Sequence, residues 1–341
     1  MNAMIEQRKQ NWIDFYDMSS SVNRLLVVEY TLDVVKKPLL RWEFMKEREE
    51  WSYRRYMCQL ENMEKLHDNT IPHLTMITGT EIFAEAFGCP VHNPANDNPF
   101  ALPLIRDVSE FSKIKMPKLE DTKLPQLFEM ADRLKARAGG DALLSLPDIQ
   151  TPMDVAALIW EKSDFYMSMF EEETAVKELA CMVKEFMFTF LDEWFRRFGK
   201  EFIAHYPDYY MPSGIAMSED EIGIVSSDMY RENFRDELHE FAERYGAIGL
   251  HCCANANHQF ANLREVPNLK VINFVRDKEN TRKAVEFFGP TIPLFNNTVV
   301  DMRDIPGNEN FHIANFVYTN SLENAIAIAD RFHENSSGDY V

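Results

Sequence analysis

Residues 248–260 read IGLHCCANANHQF: a short apolar run, then His251, Cys252 and Cys253, then small polar residues. An apolar run of this length that stops at polar groups reads as a buried strand ending at a loop. Side chains on a strand alternate faces, so His251 and Cys253 share one face and Cys252 takes the other. What this pair does depends on the sheet it belongs to, and therefore on the rest of the chain.

Working outward, apolar strand-like runs alternate with helical stretches. RLLVVEYTLD (24–33), IPHLTMITG (71–79), DALLSLPDI (141–149), LKVINFV (269–275), TIPLFNNTVV (291–300) and NFHIANFVY (310–318) read as strands, and HYPDYYMPSGIAM (205–217) carries a weaker strand signal. Between them, LPQLFEMADRLKARAGG is an amphipathic helix with a double-glycine stop. TPMDVAALIW starts a helix that Thr151 caps and Pro152 suits, and SSDMYRENFRDELHEFAERYG runs from a Ser226 or Ser227 cap to Gly246. TAVKELACMVKEFMFTFLDEWFRRFG places Phe and Met at helical spacing, which is core packing. About eight strands separated by helices is the rhythm of a parallel sheet with crossover helices. A closed (β/α)8 TIM barrel fits that rhythm better than an open dinucleotide fold, because no glycine-rich fingerprint follows the first strand. The expectation is a single domain over 1–341, with an N-terminal helical extension and an elaborated loop at 89–117.

Composition bounds the function. With 55 acidic against 36 basic residues, the formal charge is −19, a field that repels nucleic-acid phosphates and anionic membranes. Five cysteines spread over 341 residues do not make a disulfide framework. No apolar run reaches the ~20 residues of a membrane span, and the start MNAMIEQRKQNW lacks a leader's apolar core. A cytoplasmic protein acting on a small molecule, without nucleic-acid or membrane partners, is the expectation.

If IGLHCC is a barrel strand, His251 and Cys253 sit at its C-terminal end, where such barrels carry their chemistry. An imidazole and a thiolate at this spacing supply two zinc ligands, while a catalytic zinc needs a third. His312, Glu81 and Asp301 are the candidates for it. The same two residues also serve as metal-free pocket groups or as strand-end packing, and the spacing leaves these readings open. Glu219, Asp220 and Glu221 precede a helix; the functional reading of Asp220 is a carboxylate over a strand end, and the plain one is helix stabilisation or solvation. Tyr206, Tyr209, Tyr210 and Met211 read as a lid or pocket wall, and Trp160 as core or pocket lining.

SEDEIGIVSSDMYRENF followed by FAERYGAIGLHCCAN resembles the uroporphyrinogen decarboxylase superfamily, which includes corrinoid- and thiol-dependent methyltransferases. Its pattern is an acidic pair, a Ser-Pro-x-Met-Tyr helix start (here Ser227 replaces the proline), and a strand ending in His-x-Cys. TPMDVAALIW, AEAFGCPVHNPANDNPF and SLENAIAIAD resemble further segments in the same order, so the likeness spans roughly residues 60 to 335. The resemblance implies a distorted (β/α)8 barrel. On the methyltransferase side it implies zinc held by His251, Cys253 and a later cysteine, with a methyl group often arriving from a corrinoid protein. That later cysteine belongs near 313–316, which reads Ile-Ala-Asn-Phe, and no cysteine follows Cys253. The decarboxylase side implies an Arg-Gln-Ala-Gly-Arg segment near the first strand, where this chain has VVKKPLLRW. The expectation is therefore a divergent, methyltransferase-like member with Asp220, His251 and Cys253 as catalytic groups. Trp160, Glu219, Tyr230 and Asn315 line its pocket. Decarboxylation of a tetrapyrrole, or a non-catalytic barrel that binds a tetrapyrrole or a partner, are the alternatives. By the same resemblance a homodimer is expected.

Overall fold

The computed structural model describes residues 2–31, 35–275, 277–296 and 305–334. Asp301, the last four positions of the 291–300 strand expectation, and residues 32 and 33 of the first fall outside them.

Six strands form one all-parallel sheet. In spatial order they are Arg24–Glu29, Ile313–Tyr318, Leu294–Asn296, Leu269–Phe274, Ile248–Cys252 and Ile215–Ser218. Their residues are mostly apolar, as expected for strands covered on both faces. The strand at 248–252 is buried along its whole length. A second parallel pair, His73–Leu74 with Leu143–Leu144, continues toward the sheet through single bridges from Ser145 to Ile203 and from Gln150 to Ser218. On the other side, the Asn69 amide donates to the Leu26 carbonyl on the first strand. The fold is TIM-barrel-like α/β, with a parallel sheet inside and helices between its strands.

Two features set the shape of the ends. The N-terminal helix Asn2–Phe15 closes the end where the strands begin. Its Trp12 indole donates to the Asn69 carbonyl and stacks on Phe295, the Phe15 carbonyl lies 2.6 Å from Nδ1 of His312, and Tyr16 donates to the Tyr210 carbonyl. Arg8 is buried there, with Met63, Leu66 and Thr70 carbonyls as acceptors. His312 is thus committed at the end opposite Cys253.

At the other end, Arg55 from the helix Met45–Asn62 reaches between the first two strands. It is 2% exposed and bonds Glu29, Asp208, Thr31 and Thr75. A fully buried guanidinium is tolerated only when its donors are met by carboxylates and hydroxyls, and here they are. Arg55 therefore ties Glu29, at the end of the first strand, to Thr75, just after the second.

The 89–117 segment is a loop with a small hairpin, Val91–His92 against Phe100–Ala101, and a 3-10 turn at Val108–Lys113. The 226–246 stretch forms two helices, Ser227–Asn233 and Arg235–Tyr245, where the sequence suggests one; Ser226 is the cap and Gly246 the left-handed terminator. Among the described residues no helix is long and apolar enough to cross a membrane.

Candidate functional site

His251 and Cys253 lie at the C-terminal end of the 248–252 strand, one buried and the other exposed. His251 Nε2 is 3.0 Å from Cys253 Sγ, and its Nδ1 is 2.6 Å from Asn273 Oδ1. Asn273 is the register partner of His251 on the next strand, so the parallel ladder itself sets the two side chains side by side. The Asn273 amide nitrogen donates to the Phe295 carbonyl, which leaves Oδ1 as the acceptor facing the ring. Nδ1 therefore carries the proton and Nε2 presents its lone pair to the thiol. Burial holds the imidazole's pKa below its ordinary value, while the Asn273 bond and the carboxylates Asp220 and Asp148 pull the other way. The ring is neutral at pH 7.

Asp220 comes from the adjacent strand's end and accepts the backbone N–H of Cys253. Its own position is fixed from below. Asp154, on the helix Pro152–Ile159 that Thr151 caps, accepts the N–H groups of Asp220 at 2.7 Å and Glu221 at 3.0 Å. Burial drives Asp154 well above the usual carboxylate range. Two backbone donors aimed at one carboxyl over-determine the turn, and that turn sets where Asp220 sits.

Around this core stand further polar groups. The Tyr206 ring meets His251 edge-on at 5.0 Å, and His205 lies 3.7 Å from Asp148. Asp208, two residues after Tyr206, is ion-paired with Arg55 and held far below its usual pKa against the opposing effect of burial. Glu81 is buried near Asp148 and Arg48, and burial raises its pKa to about 7.

The other expected residues fall in different places. Glu219 is fully buried behind Asp220; neither carboxyl oxygen has a hydrogen-bond partner, and burial raises its pKa strongly. Tyr230 is buried beside it, stacked on Phe234, with an unpartnered hydroxyl. Trp160 is buried against Phe111 and Phe165, its indole donating to Asp164, so its contacts are core contacts. Asn315 is half-buried on the last strand, in register with Leu26 and Asn296. His258 faces the Val225 carbonyl at 2.8 Å. Tyr209, Tyr210 and Met211 are buried, whereas Tyr206 is 42% exposed. A surface cleft lined by Ile13, Tyr16, Met211 and Lys270 opens at the other end of the strands, away from these groups.

Among the described residues the donor set does not complete a zinc site. No group of three His, Cys, Asp or Glu among the described residues is arranged to hold a metal. His251 Nε2 instead points at Cys253 Sγ from hydrogen-bond distance, the Asn315 carboxamide stands where the sequence would need a third thiolate, and His312 is engaged at the far end.

Asn273, Asp154, Asp148 and His205 were not singled out by sequence. The readable signal for Asn273 was an amide inside the otherwise apolar LKVINFV, since a polar residue mid-strand in a buried sheet must find a partner. No local pattern signalled the other three.

The family model described as uroporphyrinogen decarboxylase matches residues 67–296, about two thirds of the chain. Among solved structures, a methyltransferase from Methanosarcina mazei superposes with a TM-score of 0.67 at 15% identity, covering 96% of this chain and 99% of that one. No curated protein matches the sequence.

Proposed function

We propose that this chain, which belongs to the uroporphyrinogen decarboxylase family, transfers a methyl group to thiol sulfur at the C-terminal mouth of a closed (β/α)8 barrel. The observation that carries the reading is the thiol–imidazole–amide line of Cys253, His251 and Asn273 at a strand end. Methyl transfer to sulfur needs a deprotonated thiol at the moment of attack. His251 Nε2, with its tautomer fixed by Asn273, is placed to take that proton. Asp220 orients the 253 backbone, and Tyr206 with the half-buried Phe316 forms the wall above. The methyl source is a corrinoid protein or a small methylated molecule, and the proton transfer that readies the thiol uses only the chain's own groups.

Decarboxylation of a tetrapyrrole is less well supported. It calls for cations able to hold several substrate carboxylates. Of the buried guanidinium groups at this end, Arg55 is already matched by Glu29 and Asp208, and Arg48 donates to the Ile77 carbonyl beside Glu81.

The test is a transfer assay. Protein is incubated with isotopically labelled methylcobalamin or a labelled methylsulfonium, with and without a small thiol, and label is followed by mass spectrometry on both the thiol and the protein. Transfer that is lost in His251→Gln supports the reading. Absence of transfer from every donor, with porphyrinogen consumed instead, refutes it.

A further inference from the structure

We infer that Cys253 is itself the acceptor, a covalent nucleophile activated by His251, and that the electrophile it takes is a cationic alkyl donor such as a sulfonium or quaternary ammonium. This deepens the methyl-transfer reading and rests on it for the reaction class alone; the residues and the charge preference follow from the geometry of the mouth.

Three observations carry it. First, nucleophile, base and orienting group are in contact in sequence: Sγ to Nε2 at 3.0 Å, and Nδ1 to the Asn273 amide at 2.6 Å. That is the arrangement an activated thiol needs, and Cys253 is exposed while His251 behind it is buried. Second, the Cys253 backbone N–H is occupied by the Asp220 carboxylate. In acyl transfer, donors near the nucleophile must be available to a developing oxyanion. Here a carboxylate stands in that position, where a second negative charge would be repelled. Displacement at a saturated carbon creates no oxyanion, so the site suits that chemistry. Third, the same carboxylate, with Asp148 and the Tyr206 ring against His251, makes the surroundings of Sγ attractive to a cation. An onium methyl group is stabilised by carboxylates and by an aromatic face.

The step balances within the site. The Sγ–H proton passes to His251 Nε2 as the sulfur lone pair forms an S–CH3 bond. The bond from that carbon to the onium centre breaks, and its electron pair leaves with a neutral sulfide or amine. The thioether formed is a poor methyl donor, so the transfer is stoichiometric: one alkyl group per chain.

The full-length protein tests this whatever its natural donor is. Cys181, also exposed but on the helix Glu173–Phe198, serves as an internal control. Two methanethiosulfonates, one bearing trimethylammonium and one sulfonate, are reacted under limiting conditions, and each cysteine is quantified by peptide mass spectrometry. The expected result is a cation-to-anion rate ratio at Cys253 about tenfold or more above that at Cys181. Asp220→Asn should collapse the excess. His251→Gln should slow iodoacetamide at Cys253 by about tenfold or more, and trimethylsulfonium should add one methyl there in the wild type. Equal ratios at the two cysteines overturn the proposal, and that comparison needs no variant to fold. Stoichiometric zinc that shields Cys253 until a chelator is added also overturns it. If label instead reaches a small thiol undiminished in Cys253→Ser, the acceptor assignment falls while methyl transfer stands.

Discussion

Glu81 offers the most quantitative check on the electrostatics of the mouth. Its side chain is 2% exposed, folds back against the backbone at Gly79, and leaves Oε2 without a hydrogen-bond partner. Burial is the main cause that lifts its pKa from 4.5 to about 7; Glu85 and Asp148 add to the rise, and Arg48 and a backbone N–H oppose it. A carboxyl whose folded pKa lies above its unfolded value favours the folded state while protonated, so this contribution is full below pH 4.5 and is lost as pH rises through about 7. Relative to a non-titrating group, the ionisation penalty is about 0.8 kcal/mol at pH 5 and about 3 kcal/mol at pH 8. Glu81→Gln keeps the shape and removes the titration. Urea denaturation of both proteins at half-unit steps from pH 5 to pH 8 should show the variant gaining on wild type by roughly 2–3 kcal/mol over that range. Changes shared by both proteins cancel in the difference. A difference that stays flat with pH would refute the assignment of a buried carboxyl that titrates near neutral pH.

Three further outcomes follow from the fold. Arg55→Met leaves Glu29 and Asp208 buried without their cation and should cost about 3–5 kcal/mol in chemical denaturation; a change under about 1 kcal/mol would show that Arg55 does not hold the first two strands together. Trp12→Ala removes an indole that is 1% exposed and stacked on Phe295, and should cost about 3–5 kcal/mol, with amide exchange rising first in Asn2–Phe15. Asp154→Ala removes the acceptor of two N–H groups and should lower stability by about 1–3 kcal/mol. It should also weaken the charge preference of Cys253, because Asp220 loses its support; unchanged selectivity would mean that Asp220 is placed by other contacts.

Much of this arrangement could be read in the sequence, for reasons that are local. The strands at 24–29, 248–252, 269–274 and 313–318 are apolar runs bounded by polar groups, and the caps at Thr151, Ser226 and Gly246 use residues whose chemistry leaves little choice. The His251–Cys253 pairing needed only the two-residue period of a strand. What could not be read depends on register or on distant contacts. Asn273 meets His251 only because the two strands pair at that offset, and Asp208 meets Arg55 across 153 residues of chain. The His73–Leu74 and Leu143–Leu144 strands are too short to carry a pattern. Zinc was suggested by two donors of the right kind; a third requires three-dimensional convergence, and among the described residues His312 is engaged at the far end of the strands.

The formal charge of −19 overstates how negative the folded chain is, and the difference is concentrated behind the site. Asp154, Glu219 and Glu237 are buried together, and each has its pKa driven well above the usual range, chiefly by burial and in part by the neighbouring carboxyls. Carboxyls at this density cannot all ionise in a medium that solvates them so poorly. Held neutral, they can accept hydrogen bonds from Asp220, Glu221 and Met153 backbone amides and pack as polar filler. This separates two populations of acid at one strand end. The inner group is neutral and structural, while Asp220, half-exposed in front of it, is the carboxylate that faces Cys253. A cationic substrate would therefore meet charge only at the surface of the mouth. The same logic predicts that alkali acts on the inner group first: its stabilising protonation is lost as pH rises through the raised pKa values, and the turn carrying Asp220 should loosen before the rest of the sheet, which amide exchange at 219–223 followed against pH would detect.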